Sequence, residues 1–301
     1  MGMVRNLYGF IINQVSGNGK ALRIWSHIEK VLLEKKVPYT YKITERSGHA
    51  TTVVQQFLNT NKVTNIIGIG GDGTIQEIVN ALAGTNVPLG LIPAGSGNDF
   101  ARGLGIPKNY EKALNRILTE KPKLMDLGII DTTYFCTVVG IGIDGEVAKK
   151  ANSSLLKKVL NSLHLGQLSY IASTLNVLVH YKPMDITLVI DQKRYNIPKV
   201  WLVAIANTPY YGGGLNICPK AVCNDGLFDI CIVHGMSKWE LICTFPLTFT
   251  GKHLSSPSIT LLKGKEIDVY SNSPLTVQAD GEIIGQTPVK MKIEPNSLYI
   301  I

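Results

Sequence analysis

The chain has 301 residues, of which 45% are hydrophobic and 17% charged, a composition typical of a folded globular protein with one or two domains. Lys and Arg number 30 against 22 Asp and Glu, so the net charge of +8 favours anionic partners. No apolar run reaches the roughly 18 residues that a membrane-spanning helix needs, and no secretory signal follows Met1. The five cysteines lack Cys-x-x-Cys spacing, which argues against a zinc site or a disulfide framework and predicts a reduced, cytoplasmic protein.

Strands and helices alternate through the first half of the chain. Strand-like apolar runs at residues 8–12, 39–43, 65–69 and 88–93 are each followed by apolar residues at helical spacing. This alternation predicts βαβ units with right-handed crossovers, and therefore a parallel sheet. The carboxyl ends of its strands then share one edge, where open α/β sheets bind ligands.

The loop after the third strand carries the strongest phosphate-binding pattern. Four glycines between positions 68 and 73 leave the backbone bare, and a helix begins near Thr74. Bare amides and the positive end of a helix dipole together bind anions. Asp72 would repel a phosphate in this loop unless it served a metal or a proton transfer. The pattern therefore favours a magnesium nucleotide.

Other interpretations of these loops are weaker. Residues 68–73 match the dinucleotide pattern G-x-G-x-x-G, but they follow the third strand, and the next strand runs into Pro93 without the acidic residue that holds a ribose. Residues 17–20 resemble a P-loop, but the spacing is wrong and Ala21 replaces the required Ser or Thr. A glycine-rich turn without any ligand stays an alternative.

Short alternating apolar runs dominate residues 184–301, and turn residues separate them. They predict a mainly antiparallel, sandwich-like second domain over residues 131–301, after a first domain over residues 1–130. The last strand could return to the first domain. Within this part only residues 238–247 have the apolar spacing of a helix.

An apolar helix is predicted over residues 155–179, between the two halves. Its beginning is basic, and such a cluster could meet anionic lipid headgroups, although a core helix with a solvated basic end is an equal alternative. The cluster consists of Lys149, Lys150, Lys157 and Lys158.

Two Asp-Gly pairs in the second half, at Asp225 and Asp280, are typical of tight turns, and Asp144-Gly145-Glu146 repeats the triplet Asp280-Gly281-Glu282 with no clear chemistry. Asp225 and the carbonyl groups around it could also form a loop that binds a hard cation. The local sequence does not decide whether any of the three has a functional role.

These motifs together resemble the bacterial diacylglycerol kinase catalytic-domain family of lipid kinases, which also includes sphingosine and ceramide kinases. The resemblance covers nearly the whole chain. A lone Gly-Gly-Asp-Gly is shared with NAD kinases and phosphofructokinases, whereas the other segments are more specific to lipid kinases. The segments that carry it are Gly70-Gly71-Asp72-Gly73-Thr74, residues 93–101 with Gly-Asn-Asp-Phe-Ala, Gly212-Gly213-Gly214, residues 219–226, and Asp280-Gly281-Glu282.

The resemblance implies a phosphofructokinase-like α/β nucleotide-binding domain with a parallel sheet, a mainly antiparallel β-sandwich domain, and ATP-dependent phosphorylation of a lipid hydroxyl in a cleft between them. Diacylglycerol is the substrate expected for the family. Gln14 stands where the family usually has proline, which makes the first loop less rigid, and Ser96 keeps the hydroxyl of the frequent threonine. By motif position, the ATP contacts are Asn13, Gln14, Val15, Ser16, Gly17, Thr44, Gly70, Gly71, Asp72, Gly73, Thr74, Ile75, Gln76 and Ser96.

The resemblance also implies the catalytic groups. Glu282 matches the proton acceptor, and Asp72 would lie near the Mg²⁺ that arrives with ATP. A further metal ion, structural or regulatory, would be held by a loop of the second domain. Its implied ligands are the carbonyls of Val222 and Leu227 and the carboxylate of Asp225, with Asp99 and Asp126 joined through water.

The partners implied are a lipid substrate and, transiently, the anionic inner face of a membrane. Nucleic acid is not expected, because the basic residues are dispersed and no recognition motif is present. A homodimer is compatible with the sequence. Two other functions stay open: a small-molecule kinase similar to NAD kinase, and a non-catalytic module that senses lipid or nucleotide.

Overall fold

The computed structural model describes residues 6–60, 62–153, 177–178 and 180–301. Its contacts divide the chain into two units, Met1–Met125 with Asn296–Ile301, and Asp126–Pro295. The chain leaves the first unit within strand β5 (Lys123–Ile130) and returns to it within β17 (Val289–Ile300). Residues 155–176 of the predicted apolar helix, with Lys157 and Lys158, lie outside the described residues.

The first unit is a parallel α/β domain, as the alternating pattern predicts. The sheet order is β2-β1-β3-β4 with every neighbouring pair parallel, and Ile300 of β17 pairs in parallel with Leu89 of β4. Its elements are β1 (Tyr8–Asn13), α1 (Lys20–Glu34), β2 (Tyr39–Thr44), α2 (His49–Asn59), β3 (Asn65–Gly70), α3 (Asp72–Leu82), β4 (Leu89–Pro93), α4 (Asp99–Gly103) and α5 (Tyr110–Thr119).

Helices cover both faces of this sheet. Strands β3 and β4 are buried along their whole length, as parallel strands between two helix layers must be. A Cβ atom on Gly68 of β3 would lie 2.7 Å from Cδ1 of Ile75 in α3, and one on Gly90 of β4 would lie 2.9 Å from Cγ1 of Ile117 in α5. Each glycine therefore lets one helix pack directly on the sheet.

The strand order reverses between β1 and β3. The chain runs from β1 outward to β2 and then crosses back to β3 on the other side of β1. In open α/β sheets the crevice at such a switch point is where ligands bind. The loops that follow β1 and β3 are thereby placed side by side.

The second unit is built from antiparallel strands. The sheet order is β16-β15-β7-β9-β8-β14-β17, β12 joins both β9 and β13, and β5 joins β6. Its elements are β6 (Thr133–Phe135), β7 (Val138–Gly142), α6 (Ile143–Ser153), β8 (Met184–Ile190), β9 (Lys193–Ala206), β10 (Tyr210–Tyr211), β11 (Leu215–Asn216), β12 (Phe228–His234), α7 (Lys238–Thr244), β13 (Ile259–Gly264), β14 (Glu266–Ser271), β15 (Thr276–Ala279) and β16 (Glu282–Gln286).

Strand β9 shows why this sheet has an apolar core on each face. Val203 and Ile205 point into one cluster of buried residues, and Leu202, Ala204 and Ala206 point into another. Since side chains alternate along a strand, a run that is apolar at every position must be covered on both sides. The predicted mainly antiparallel second domain is confirmed.

The predicted helix over residues 238–247 is shorter in the structure. It begins in a capping box, in which Ser237 accepts from the backbone N–H of Glu240 at 3.2 Å and the Glu240 carboxylate accepts from that of Ser237. It ends at Thr244, and two short 3₁₀ helices follow, Phe245–Thr250 and Lys252–Ser255. Pro246 has no N–H to donate, so the α-helical bonding pattern stops there. No helix in the described ranges is long and apolar enough to cross a bilayer.

We expect the Leu298→Ala substitution to destabilise the protein strongly. Leu298 belongs to the last residues of the chain, which complete the first unit, and only 1% of its surface is exposed. Removing a buried leucine of this kind lowers the free energy of unfolding by about 2–5 kcal/mol. Urea unfolding measures the change, and Leu261→Ala, at a leucine that is 47% exposed, is the control. Equal, small effects of the two substitutions would contradict the role of this segment.

Candidate functional site

Three loops of the first unit meet through their backbones. A Cβ atom on Gly95 would lie 2.5 Å from Cα of Gly71, and the N–H of Ala94 donates to the carbonyl of Gly70 at 2.8 Å. Gly17 has a φ of +57°, and a Cβ there would lie 2.1 Å from the carbonyl oxygen of Ala94. The loops after β1, β3 and β4 can therefore converge only because these positions carry no side chain.

A side-chain bond links the first two of these loops across the switch point. The Asn13 Nδ2 group donates to Oγ1 of Thr74 at 2.7 Å, and Oδ1 of Asn13 accepts from the N–H of Val15 at 3.2 Å. Ser16 is buried beside them, and its N–H donates to the carbonyl of Asn13 at 3.0 Å. Asn13 thus fixes the loop after β1 relative to the first turn of α3.

Asp72 is held at the starts of two helices. It is the first residue of α3, and its Oδ1 accepts from the N–H of Phe100, near the start of α4, at 3.2 Å. Helix N-termini stabilise a carboxylate through their free amides and dipoles. The assignment of Asp72 to a metal ion or to proton transfer stays a prediction.

A cavity of about 260 Å³ opens beside these loops in the first unit. It brings together five of the predicted nucleotide contacts with residues from the loop after β2. The lining consists of Asn13, Val15, Thr44, Glu45, Arg46, Ser47, Ala50, Gly73, Thr74 and Glu77.

The remaining predicted contacts do not line this cavity. Ile75 packs its side chain on Gly68, and Gln76 is buried, with its carbonyl accepting from Nδ2 of Asn80 at 3.0 Å. Ser96 is exposed in the loop after β4. Gln14, Ser16 and Gly17 belong to the loop after β1. Gly70, Gly71 and Asp72 lie where β3 ends and α3 begins.

Sequence reasoning missed three charged residues of the cavity, Glu45, Arg46 and Glu77. Arg46 carries the guanidinium group that binds phosphate oxygens in pairs. Glu77 of α3 accepts from the N–H groups of Gly48 at 2.8 Å and Ala50 at 3.0 Å, and so joins the start of α2 to α3. The run Glu-Arg-Ser-Gly directly after the end of β2 is the sequence signal that could have found this loop.

The second unit holds the Asp280-Gly281 turn rigidly. Oxygens of the Asp280 carboxylate accept from the N–H groups of Cys136 and Thr137, both at 2.8 Å, and of Val138 at 3.2 Å. The φ angles of Asp280 and Gly281 are +50° and +89°, the left-handed pair that a two-residue hairpin turn requires. The predicted turn therefore joins β15 and β16, with its aspartate bonded to the start of β7.

Glu282 follows that turn as the first, exposed residue of β16. The N–H of Gly281 donates to Oε1 of Gln278 at 2.8 Å, and Nε2 of Gln278 donates to Oδ2 of Asp144 at 2.7 Å. Oγ1 of Thr276 donates to Glu146 at 2.6 Å. The Asp144-Gly145-Glu146 triplet, which has no evident chemistry in the sequence, thus anchors the hairpin to the start of α6.

In the predicted metal-binding loop, the carboxylate of Asp225 forms an ion pair with Lys263. Oδ1 of Asp225 accepts from the N–H of Leu227 at 3.0 Å, and Oδ2 lies 3.3 Å from Nζ of Lys263. The same ammonium lies 3.1 Å from Oδ2 of Asp229. Oδ2 of Asp126 accepts from the N–H of Gly226 at 2.8 Å. Asp99, in the first unit, forms an ion pair with Arg102.

This loop does not fit a divalent cation as it stands. Carbonyl and carboxylate oxygens are suitable donors for a hard cation, but an ammonium group repels one. Across the described residues, no group of three or more His, Cys, Asp or Glu side chains could hold a metal ion. Burial raises the pKa of Asp229, and the bond to the Lys263 ammonium opposes that rise.

An apolar cavity of about 90 Å³ lies within the second unit. Its polar features are few: Asp144 at the start of α6, two threonines, a tyrosine, and the fully buried His253, whose Nε2 donates to the carbonyl of Ile217 at 3.1 Å. The lining residues are Ile143, Asp144, Val147, Leu178, Leu202, Tyr211, Leu215, Ile217, Val233, Leu241, Ile242, Thr244, Phe245, Thr248, His253 and Ile259.

The first unit is a parallel α/β domain with a glycine-lined switch point, and the second is an antiparallel β domain with an apolar cavity. Residues 8–130 match the diacylglycerol kinase catalytic domain, and residues 137–301 match the YegS C-terminal NAD kinase beta sandwich-like domain. The chain belongs to the diacylglycerol kinase catalytic-domain family of lipid kinases.

Named relatives agree with this assignment over most of their length. A Bacillus subtilis (strain 168) protein named as a candidate lipid kinase, YtlR, is 34% identical, with 97% of this chain and 98% of that protein covered. A diacylglycerol kinase of Mycobacterium tuberculosis (strain ATCC 25618 / H37Rv) is 30% identical, with 97% and 93% covered. The crystal structure of a candidate diacylglycerol kinase from Bacillus anthracis str. Sterne superposes with a TM-score of 0.80 at 27% identity, covering 99% of this chain and 95% of that one.

We expect Gly95→Ala to disrupt the convergence of the loops. Its Cβ would overlap the backbone of Gly71, which cannot move without displacing α3, and overpacking of this kind costs about 1–3 kcal/mol. Thermal unfolding measures the loss of stability. Gly73→Ala is the matched control, because a Cβ there meets nothing within 4 Å. A melting temperature of Gly95→Ala equal to that of the control would contradict the backbone contact.

We expect Lys263→Met to make the stability of the protein sensitive to Mg²⁺. The substitution leaves Asp225 and Asp229 without their shared ammonium, at a cost of about 1 kcal/mol. Added Mg²⁺ should raise the melting temperature of the variant more than that of the unchanged protein. The control is Lys265→Met, which removes the same charge two residues away. If both variants respond to Mg²⁺ alike, Lys263 is not the counter-ion of the loop.

Proposed function

We propose that the protein is an ATP-dependent lipid kinase that transfers the γ-phosphate to the hydroxyl group of a diacylglycerol-like lipid. Membership of the lipid kinase family supports phosphoryl transfer to a lipid in general. The choice of ATP as donor and of diacylglycerol as acceptor is our inference. The relative from Mycobacterium tuberculosis, which is named diacylglycerol kinase, supports that acceptor.

Features of the first unit support a nucleoside triphosphate as the phosphoryl donor. Bare amides of the converging loops are suited to phosphate oxygens, and Arg46 adds a guanidinium beside them. Mg²⁺ bound to the nucleotide would neutralise phosphate charge, and the carboxylate of Asp72 is the group we assign to it. Phosphoryl transfer depends mainly on such positioning and charge neutralisation.

The apolar cavity of the second unit is the observation that carries the proposal. A lipid acceptor needs a dry site for its chain, whereas a nucleotide acceptor such as NAD has no apolar chain to bury. By comparison with benzene in a cavity of about 150 Å³, a volume of about 90 Å³ holds roughly three or four carbon atoms. A complete acyl chain therefore requires the helical segment over residues 238–255 to shift.

The proposed reaction transfers one phosphoryl group and one proton. The lipid hydroxyl oxygen attacks the γ-phosphorus in line, the bond to the β–γ bridging oxygen breaks, and ADP leaves. Glu282 accepts the hydroxyl proton. Its position next to the Asp280-Gly281 turn supports this role, because the turn is fixed by three backbone donors and by the Gln278–Asp144 bond.

The same hairpin connects the proposed proton acceptor with the apolar cavity. Asp144 lines the cavity and accepts from Gln278, and Gln278 accepts from the N–H of Gly281, directly before Glu282. A lipid with its chain in the cavity would thus have its polar end directed to Asp144, which lines the cavity and is bonded to the hairpin. None of the five cysteines forms a disulfide bond, which agrees with action at the inner, reducing face of a membrane.

We expect Glu282→Gln to reduce turnover by about 10²–10⁴-fold while ATP still binds. The amide keeps the size of the side chain but cannot accept the proton. The assay follows transfer of radiolabel from ATP to diacylglycerol in mixed micelles, and ATP binding is measured separately by calorimetry. The control is Glu266→Gln, at an exposed glutamate of β14.

Near-normal turnover of Glu282→Gln would remove this residue from the role. If the unchanged protein binds ATP but labels no lipid in an extracted lipid pool, the non-catalytic sensor becomes the better description. Labelling of NAD in place of lipid would instead favour the small-molecule kinase.

A further inference from the structure

The helical segment over residues 238–255 carries an apolar surface that faces solvent. Trp239 is 72% exposed, Leu247 41% and Phe249 39%. No residue of α7 or of the 3₁₀ helix Phe245–Thr250 is buried. We call Trp239, Leu247 and Phe249, with Lys238 and Lys252, the docking face. Ile242 of the same segment is also 37% exposed, and it lines the cavity as well. Large exposed side chains grouped in one short segment indicate an interaction surface.

The other side of the same segment lines the apolar cavity. Leu241, Ile242, Phe245 and Thr248 are among the residues of its wall. The ring of Phe245 meets that of Phe249 edge to face, with centroids 6.1 Å apart and an interplanar angle of 85°. Phe245, which lines the cavity, is therefore in direct contact with Phe249 of the docking face. The segment thus separates the cavity from solvent.

The charges around the docking face are mainly positive. Lys238 and Lys252 lie at the two ends of the apolar residues, and α6, which lines the same cavity, carries the exposed Lys149 and Lys150. The acidic residue of the segment, Glu240, has its carboxylate bonded to the backbone in the capping box. An apolar surface with a basic border complements an anionic lipid bilayer, which attracts each nearby lysine.

We propose that the docking face inserts into the headgroup region of an anionic phospholipid bilayer and brings the apolar cavity against the lipid. An exposed tryptophan such as Trp239 suits the interface, where an amphipathic ring is most stable. The docking itself stands on the exposed face. The further step, in which an acyl chain passes from the bilayer into the cavity, rests on the proposed lipid kinase function.

A bilayer fits this face better than a second copy of the chain. A stable dimer buries about 800 Å² on each partner, contributed by roughly 20–30 residues. The docking face offers three large apolar side chains with lysines beside them, and two such faces would bring like charges together. An anionic bilayer needs only shallow insertion and opposite charge.

Tryptophan fluorescence provides a direct test without ATP. The chain has three tryptophans, and Trp25 and Trp201 are only 5% and 2% exposed, so a change on vesicle binding reports Trp239. We expect vesicles of phosphatidylglycerol and phosphatidylcholine to shift the emission to shorter wavelength, and pure phosphatidylcholine vesicles to shift it much less. Unchanged emission with the anionic vesicles would overturn the proposal.

Variants of the face should separate its apolar and basic parts. The double substitution Leu247→Ser with Phe249→Ser should weaken vesicle binding by about tenfold or more, measured by cosedimentation. Lys238→Gln and Lys252→Gln should each weaken it by about fivefold at low salt. The matched control is Leu33→Ser, at a leucine of α1 that is 62% exposed. Vesicle binding of the double variant equal to that of the control would overturn the proposal.

Three further outcomes separate vesicle docking from dimer formation and from the proposed kinase function. A concentration-dependent dimer in analytical ultracentrifugation that the double variant loses, without vesicle binding, would identify the face as an interface between copies and overturn the proposal. Vesicle binding by a protein that phosphorylates no lipid would support the docking face and contradict the kinase function. Activity lost on vesicles but kept on detergent-dispersed lipid in the double variant would support both.

Discussion

The first unit depends on one close backbone contact, between Gly71 and Gly95. Because neither residue has a side chain, the loops after β3 and β4 can touch, and Gly17 brings the loop after β1 against the same point. The reversal of strand order at β1 places these loops at one edge, and the Asn13–Thr74 bond fixes their separation. The cavity with Arg46 follows from that arrangement, since α3 can begin beside the loop after β2 only if the glycines are in place.

The fold of the first unit could be predicted from the sequence because β1, β3 and β4 are apolar on both faces and its helices have regular apolar spacing. The second unit was also predictable in type, since alternating runs separated by Asp-Gly turns indicate antiparallel strands. Two details were missed. Pro246 divides the predicted helix into α7 and a 3₁₀ helix, an ending that the proline itself signals because it has no N–H to donate. The final strand continues well beyond its last regular apolar alternation, and no local pattern records that ending.

The candidate site could be predicted only where glycines mark it. The glycine loops indicated Asn13, Gly73 and Thr74, whereas Arg46 and Glu77 reach the cavity through tertiary packing that no short motif records. Lys263 shows the same limit for the second unit. It lies 38 residues from Asp225 in sequence, and only strand pairing between β12 and β13 brings its charge to the loop. The sequence therefore suggested a bound metal ion at this loop, whereas the fold places the ammonium group of Lys263 there.

The path of β17 has a consequence for how the protein is made. The N–H of Gly84 donates to the carbonyl of Ser297 at 2.8 Å, and that of Ile301 to the carbonyl of Leu89 at 3.0 Å, so the last residues complete a sheet whose other strands come from the beginning of the chain. On a ribosome, the amino-terminal unit emerges first but lacks this edge until all of the second unit has been translated. The sheet of the first unit gains this edge only after residues 296–301 have been translated, so the first unit is completed later than the second unit, which is encoded between its two parts.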